Sequence, residues 1–232
     1  MQLIDIGVNL TNKRLRPQAD SLIQRALDAG VSHMVVTGTS LEHSRMALEL
    51  CQQFPRQLVC TAGIYPHDAS DWDENHSADE LRWIASHDCV RAIGETGLDY
   101  NRMFSSEAEQ LQAFEQQLEL AAQLGKPVFL HQRDAFEPFH SLLRQYRGRL
   151  VNAVAHCFTG NRAELHALLD LDCHIGITGW ICDERRGGEL QGLVKEIPPN
   201  RLMLETDAPY LLPRDLPQKP SDQIGRASCR ER

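Results

Sequence analysis

Short apolar runs recur along the whole chain, and stretches with the 3.6-residue period of an amphipathic helix separate them. We interpret the runs as strands at residues 3–5, 34–37, 58–63, 90–95, 127–131, 151–156, 174–177 and 202–207. Strands that alternate with helices predict a parallel sheet with right-handed crossovers. Eight such units are the number that closes a TIM-type (β/α)8 barrel, so the sequence predicts this α/β fold.

Local signals mark the ends of two of the predicted helices. Ser106 and Glu109 form the pattern of a capping box, and Asn161 and Glu164 repeat that pattern farther along the chain. Gly125 stands just before a Lys-Pro pair, where a helix is expected to end. These signals predict one helix between the fourth and fifth strands and another between the sixth and seventh.

An open, doubly wound sheet is the main alternative architecture. That fold is expected to carry a glycine-rich phosphate loop after its first strand. Residues 7–10 read Gly-Val-Asn-Leu, which is not such a loop. Because no linker or charge block divides the chain, we predict one barrel domain over residues 1–223. Residues 224–232 have neither helix period nor strand alternation and resemble translated sequencing adapter, so we interpret them as a non-native tail.

Composition and charge narrow the range of functions. Hydrophobic residues make up 42% of the chain and the net charge is −8, which argues against a protein that coats long duplex DNA with a basic face. An enzyme that holds one strand end remains compatible with that charge. No apolar run is long enough to span a bilayer, and the seven cysteines include no Cys-x-x-Cys pair. We therefore expect reduced thiols in the cytoplasm, no membrane contact and no metal ligation by cysteine.

Four predicted strands end on side chains that can bind a metal ion. These side chains are Glu95, His131, His156 and Asp207, each at the end of its apolar run. The active site of a (β/α)8 barrel forms at the carboxyl ends of its strands, so the four would meet on one rim. Two imidazoles with two carboxylates suit Zn²⁺, Mn²⁺, Fe²⁺ or Co²⁺, and also Mg²⁺ with water completing its shell.

The residues around these four positions resemble the successive motifs of the TatD family. The motifs lie at residues 94–99, 131–134, 156–160 and 205–210, and residues 5–10 and 179–187 resemble the TatD branch itself. The resemblance covers residues 2–221. It implies a metal-dependent nuclease on a TIM-type barrel, which in this branch acts as a 3′→5′ exonuclease on single-stranded DNA and RNA. It also implies a role in DNA repair and a divalent cofactor, with Mg²⁺ expected first and Mn²⁺ or Zn²⁺ as alternatives.

Two departures from the family pattern stand out. Many relatives carry a His-x-His pair on the first strand that holds a second metal, and Gly7 and Asn9 occupy the equivalent positions here. We therefore expect one tightly held ion, with Asp5 as a supporting carboxylate. The family pattern Gly-x-His-Pro-His has Tyr65 in place of its first histidine, whereas His67 keeps its match. Tyr65 can donate a hydrogen bond to phosphate but cannot act as an imidazole acid or base.

Further residues are candidates for contact with substrate. Arg133 could bind phosphate, with a salt bridge to Asp134 or to a neighbouring loop as the alternative. Arg185 and Arg186 either grip the strand or lie in a solvated loop. Trp180 and Phe158 could stack on bases, although core packing is favoured for Phe158. With His67 and Tyr65, Arg133 completes the predicted substrate-binding set.

The predicted reaction is hydrolysis of a phosphodiester at the 3′ end of a single strand. Glu95, His131 and His156 hold the metal, and Asp207 either orients and deprotonates the water or is a fourth ligand. Glu95 and Asp207 are thus the predicted catalytic residues. One rival is a metal-dependent ester or amide hydrolase such as an aminoacyl-tRNA deacylase, although no strand ends on the lysine that such barrels often use. The other is a catalytically weakened barrel that serves as an interaction protein.

Two expectations concern the molecule as a whole. A monomer is favoured. Because the family resemblance stops near Ser221, the outer helix after the eighth strand is expected to be missing. Leu202, Met203 and Leu204 would then be partly open to water, and the protein would be prone to aggregation.

Overall fold

The strands form one parallel sheet whose order follows the chain. The computed structural model describes residues 2–185 and 187–213. Within them, each strand pairs in parallel with the next, from the first to the eighth. The strands are β1 Leu3–Val8, β2 Val31–Val36, β3 Leu58–Ala62, β4 Val90–Asp99, β5 Val128–Arg133, β6 Ala153–Ala155, β7 His174–Ile177 and β8 Leu202–Leu204.

The segment after β8 closes the sheet against β1. Val8 forms a parallel bridge with Ala208. The backbone N–H of Asp207 donates to the carbonyl of Gly7 at 2.8 Å, and the N–H of Asn9 donates to the carbonyl of Ala208 at 2.8 Å. This closure confirms the predicted (β/α)8 barrel and brings the first and last strands to the same place on the rim.

Helices connect the strands and cover the outside of the sheet. They are α1 Ala19–Asp28, α2 Leu41–Gln53, α3 Ser77–Ala85, α4 Glu107–Leu124, α5 Phe136–Tyr146, α6 Arg162–Asp170 and α7 Gly188–Leu193, with short 3-10 turns between several of them. Both predicted capping boxes are present, at Ser106 and Asn161, and α4 ends at Gly125 in the left-handed conformation at φ 61°. No helix in the described part of the chain is long and apolar enough to cross a membrane.

The strand ends differ from the prediction in two ways. β4 and β5 continue four and two residues past Glu95 and His131, because pairing resumes after a register shift and runs to Asp99 opposite Arg133. β6 and β8 are shorter than predicted, and His156 and Asp207 follow them in non-strand backbone. After β8, the backbone stops pairing with β7 and forms hydrogen bonds with β1 instead. Strand length therefore varies around the rim, although the four predicted residues remain on it.

The apolar core lies between the helices and the sheet. Phe114 of α4 and Phe139 of α5 are fully buried, and their rings stack with centroids 5.3 Å apart. On the neighbouring strands β1 and β8, Ile4 is 54% exposed and Leu204 is 50% exposed. Leu202 and Met203 are half-buried. The predictions of a missing outer helix and of a non-native tail at 224–232 concern residues beyond 213, which lie outside the described part.

Candidate active site

Three of the four predicted metal ligands meet on the rim. The carboxylate Oε1 of Glu95 lies 3.2 Å from Nδ1 of His131 and 2.8 Å from Nε2 of His156. One ligand atom from each side chain lies within 4.8 Å of the others, and all three residues are buried. His131 and His156 follow Glu95 by 36 and 61 residues in the chain. They meet it because all three stand at equivalent positions of the repeating strands.

The charges at this group favour a cation between the side chains. Burial alone would raise the pKa of Glu95, but the charge of His156 and the hydrogen bonds from both imidazoles hold that pKa well below its usual range. Burial would lower the pKa of His156, yet the carboxylates of Glu95 and Glu205 raise it well above the usual value. A divalent ion would supply this positive charge more strongly than a proton, and the mixed nitrogen and oxygen donors fit such an ion.

A second carboxylate, Glu205, holds the other face of His156. Its Oε2 lies 3.3 Å from Nδ1 of His156, and its Oε1 accepts a hydrogen bond from the backbone N–H of Cys157. When Nδ1 of His156 donates to Glu205, Nε2 presents its lone pair toward Glu95. A carboxylate behind a metal-binding imidazole commonly fixes both its tautomer and its orientation.

Two glycines make room for the Glu205 carboxylate. A Cβ atom on Gly7 would lie 2.6 Å from Oε2 of Glu205, and a Cβ atom on Gly176 would lie 2.6 Å from Oε1. The sequence singled out Gly7 only as a missing metal ligand. In the structure, any side chain at Gly7 would collide with the group that positions His156. Glycine within a strand often marks such a close approach, and that signal could have pointed to Glu205.

Asp207, the fourth predicted ligand, is held at the end of β1. Asp207 is 4% exposed, and its Oδ1 accepts a hydrogen bond of 2.9 Å from Nδ2 of Asn9. Its backbone has a positive φ of 51° and is tied to β1 through the carbonyl of Gly7. The side chain is therefore fixed at both ends. Asn9, which the sequence analysis identified at a position of the absent His-x-His pair, serves here as a hydrogen-bond donor to Asp207.

Asp99 connects three predicted site residues, although the sequence reasoning did not select it. Its Oδ2 lies 3.0 Å from Nε2 of His67 and 3.4 Å from Nε2 of His131, and it accepts from the hydroxyl of Tyr65 at 3.4 Å. Burial would raise the pKa of Asp99, but hydrogen bonds from His131 and His67 hold it well below its usual range. Asp99 lies four residues after Glu95 on the same strand, and this even spacing places both on one face.

The group opens into a cavity of about 410 Å³, and the predicted substrate-binding residues line it. Tyr65, His67 and Arg133 are all on its wall. Asp134, the alternative salt-bridge partner of Arg133, accepts a hydrogen bond of 2.8 Å from Nδ2 of Asn101 instead. In the described part of the chain, Arg133 forms no ion pair with Asp134.

Of the two aromatic residues considered for base stacking, one lies on the cavity wall and the other in the apolar core. Trp180 lines the cavity, whereas Phe158 is 6% exposed and packs in the apolar core, as favoured. Arg185 forks onto Asp183, with Nε 3.1 Å from Oδ1 and Nη2 2.9 Å from Oδ2. Arg186 lies outside the described residues. Phe104, which the sequence reasoning missed, is also on the cavity wall.

The cysteines within the described residues are all free thiols. Three of them, Cys51, Cys60 and Cys89, lie within 4.8 Å of one another and do not line the cavity. Hydrogen bonding with Cys51, together with burial, raises the pKa of Cys60 above its usual range. The Cys60 thiol is therefore neutral at physiological pH, as expected of a packed core side chain.

Comparison with known proteins identifies the family of this chain. The TatD related DNase family matches residues 4–226. A relative from Edwardsiella piscicida, named 3′-5′ ssDNA/RNA exonuclease TatD, is 53% identical over 221 residues, which cover 95% of this chain and 85% of the relative. The structure of a hydrolase TatD family protein from Entamoeba histolytica has a TM-score of 0.84 at 30% identity, covering 95% of this chain and 80% of that one. A TatD homologue from Escherichia coli K12 has a TM-score of 0.83 at 25% identity, covering 97% and 86%. The chain belongs to the TatD related DNase family.

Proposed function

We propose that this protein is a metal-dependent 3′→5′ exonuclease that hydrolyses phosphodiester bonds of single-stranded DNA and RNA. The observation that carries the proposal is the buried group of Glu95, His131 and His156, of which Glu95 and His131 line an open cavity. Relatives with about half of their residues identical to this chain carry the name 3′-5′ ssDNA/RNA exonuclease TatD. A 3′ end of a single strand is accordingly the proposed substrate.

The proposed cofactor is one divalent ion held by Glu95, His131 and His156. Mg²⁺ is the expected ion, and Mn²⁺ or Zn²⁺ would also suit these donors. Such an ion would neutralise charge on the phosphoryl oxygens and make bound water more acidic. Glu205 supports this role because it orients His156 from behind.

Asp207 is proposed to act on the attacking water, and Glu95 to act as a catalytic metal ligand. Asp207 follows β8 on the rim that carries the three ligands, and its backbone N–H donates to the carbonyl of Gly7. Its Oδ1 accepts from Nδ2 of Asn9, which orients the carboxylate, and a carboxylate can accept a proton from water. A role as a fourth ligand is the alternative for Asp207, and the asparagine variant described in the Discussion separates the two.

The substrate phosphate is proposed to lie against Arg133, Tyr65 and His67. Arg133 would offer two parallel N–H donors to the phosphate oxygens. The Tyr65 hydroxyl lies 3.2 Å from Nε2 of His131 and 3.4 Å from Asp99, so it is positioned next to the metal group. His67 is held by Asp99 at 3.0 Å on the same wall. The three donors would orient the scissile bond toward the ligands.

A single-strand nuclease assay tests the proposal. A 5′-labelled oligonucleotide should shorten stepwise from its 3′ end with Mg²⁺ or Mn²⁺, and excess chelator should stop the reaction. Glu95→Gln should abolish shortening, whereas Glu42→Gln, on the exposed first turn of α2, should not. Hydrolysis of an aminoacyl ester without hydrolysis of the oligonucleotide would instead support the ester-hydrolase rival. Binding without hydrolysis of either substrate would support the interaction-protein rival.

We also propose that the protein works as a monomer in the cytoplasm. The free thiols of the described residues support a reducing compartment. Light scattering on purified protein should give the mass of one chain. A mass of two chains that persists on dilution would contradict the proposed monomer.

A further inference from the structure

The loop between β4 and α4 presents an exposed aromatic side chain at the cavity. Phe104 is 64% exposed and lies on the cavity wall. Its ring is edge-on to the ring of His67, with centroids 4.8 Å apart and planes at 71°. His67 belongs to the proposed phosphate-binding set, so Phe104 adjoins that set. A large apolar side chain left open beside a substrate cavity is a candidate for contact with the substrate.

Buried polar groups fix both ends of this loop. At the start, Oδ1 of Asp99 accepts from the N–H groups of Asn101 and Arg102, at 2.9 and 3.1 Å. The fully buried side chain of Gln110, on α4, donates to the carbonyls of Asp99 and Ser105 at the two ends of the loop, at 3.0 and 2.9 Å. The backbone that carries Phe104 is thus organised before any ligand arrives.

A buried serine ties the same loop to the wall that carries His67. The hydroxyl of Ser105 donates to the carbonyl of His67 at 2.9 Å and accepts from the N–H of Ser70 at 3.0 Å. Ser105 directly follows Phe104 and is 2% exposed. The aromatic ring therefore keeps a set position relative to the phosphate-binding residues, and binding on it would cost little ordering of the loop.

Two arginines add positive charge to the same cavity. Arg102 and Arg133 both line it, and neither forms an ion pair with an acidic side chain in the described part of the chain. Exposed aromatic rings beside basic side chains are the combination that single-stranded nucleic acid requires. Bases stack on the rings, and the phosphates meet the positive charges.

We propose that Phe104 is a stacking platform for a nucleobase of the single-stranded substrate, with Arg102 beside it as a contact for the backbone phosphate. This inference rests on the proposed exonuclease function and adds a subsite to it. A base inside a duplex has both faces covered by its neighbours, whereas a base in a single strand can leave its stack and cover Phe104. The platform would therefore favour single strands over duplexes.

A binding measurement tests the platform separately from hydrolysis. In a Glu95→Gln background that prevents digestion, fluorescence anisotropy gives the Kd of a labelled 12-nucleotide single strand. A second strand of the same length with abasic sites throughout supplies the backbone without bases. Phe104→Ala should weaken binding of the normal strand roughly tenfold, about 1.4 kcal/mol, and leave binding of the abasic strand unchanged.

Two further variants serve as controls. Phe104→Tyr should keep the affinity, because a phenol ring also stacks. Trp83→Ala removes another exposed aromatic, 53% exposed on α3 and not on the cavity wall, and should change neither Kd. An equal Kd for Phe104→Ala and its parent, or an equal loss on the normal and abasic strands, would overturn the platform. Failure of the wild-type protein to digest the normal strand with Mg²⁺ or Mn²⁺ would instead overturn the proposed function.

Discussion

Replacing Glu205 by glutamine should weaken metal binding even though Glu205 is not itself a proposed ligand. The carboxylate accepts from two donors, the imidazole Nδ1 of His156 and the backbone N–H of Cys157. Glutamine has the same size but only one acceptor oxygen. If that oxygen keeps the Cys157 bond, the amide N–H₂ faces His156 and favours the tautomer that carries its proton on Nε2. That tautomer cannot offer Nε2 to a metal.

The expected magnitude follows from this geometry. The Glu205 side chain is fully buried, so water cannot replace the lost acceptor. An unsatisfied buried polar group costs about 1–3 kcal/mol. Loss of a group that supports a metal ligand typically lowers metal affinity about 10–100-fold, which corresponds to about 1.4–2.8 kcal/mol. The two ranges of free energy overlap. We therefore expect Glu205→Gln to bind Mn²⁺ about 10–100-fold more weakly than the wild type.

Isothermal titration calorimetry with Mn²⁺ measures the effect directly. Glu42→Gln makes the same chemical change on an exposed helical turn and should match the wild type. Circular dichroism would establish that both variants are folded at the titration temperature. A folded Glu205→Gln protein with a Mn²⁺ affinity within twofold of the wild type would refute the assigned role of Glu205.

Three other changes test separate parts of the site. Gly7→Ala should weaken Mn²⁺ binding in the same titration, because the new Cβ would lie 2.6 Å from the Glu205 carboxylate; unchanged affinity would show that the site tolerates a methyl group there. Asp207→Asn should lower kcat at least a hundredfold while retaining Mn²⁺ (about 10²–10⁴-fold is typical for a general base), whereas loss of the ion would make Asp207 chiefly a ligand. Burial raises the pKa of Asp5 from 3.8 to about 6. Keeping this carboxylate ionised in the folded protein therefore lowers the free energy of unfolding by about 3 kcal/mol above pH 6, and the effect vanishes below pH 3.8. The wild type should thus lose stability relative to Asp5→Asn as pH rises from 3.8 to about 6; parallel urea-denaturation curves across that range would disprove the burial penalty.

Much of the architecture could be predicted because local signals and the global fold agree. Repeated strand and helix periods gave the barrel, and the capping patterns at Ser106 and Asn161 gave helix starts that the structure confirms. Glu95, His131 and His156 could be predicted as a group because equivalent positions of a repeat meet on one rim. This inference does not depend on the strand lengths, which differ from the prediction.

The residues that escaped prediction act through contacts that are distant in the sequence. Glu205 reaches His156 only because Gly7 and Gly176, on two other strands, leave space for its carboxylate. Asp99 ends β4, and it meets His67 because the 3-10 turn after β3 brings that residue to the same place. In both cases, the chemistry depends on which side chains face each other across the barrel, and the strand register that decides this shifts at irregular points.

Phe104 escaped prediction for a different reason. A lone aromatic in a polar loop has no period, and its side chain could equally have turned into the core. The position of the ring depends on hydrogen bonds that Gln110 and Ser105 make with backbone groups elsewhere in the chain.

The location of the bound ion tests the central claim most directly. In crystals grown with Mn²⁺, anomalous diffraction at the manganese edge gives the ion position independently of activity. We predict a peak within coordination distance of a carboxylate oxygen of Glu95 and of one imidazole nitrogen each of His131 and His156. A strong peak elsewhere in the molecule with none among these three side chains would contradict the claim that they form the catalytic metal site.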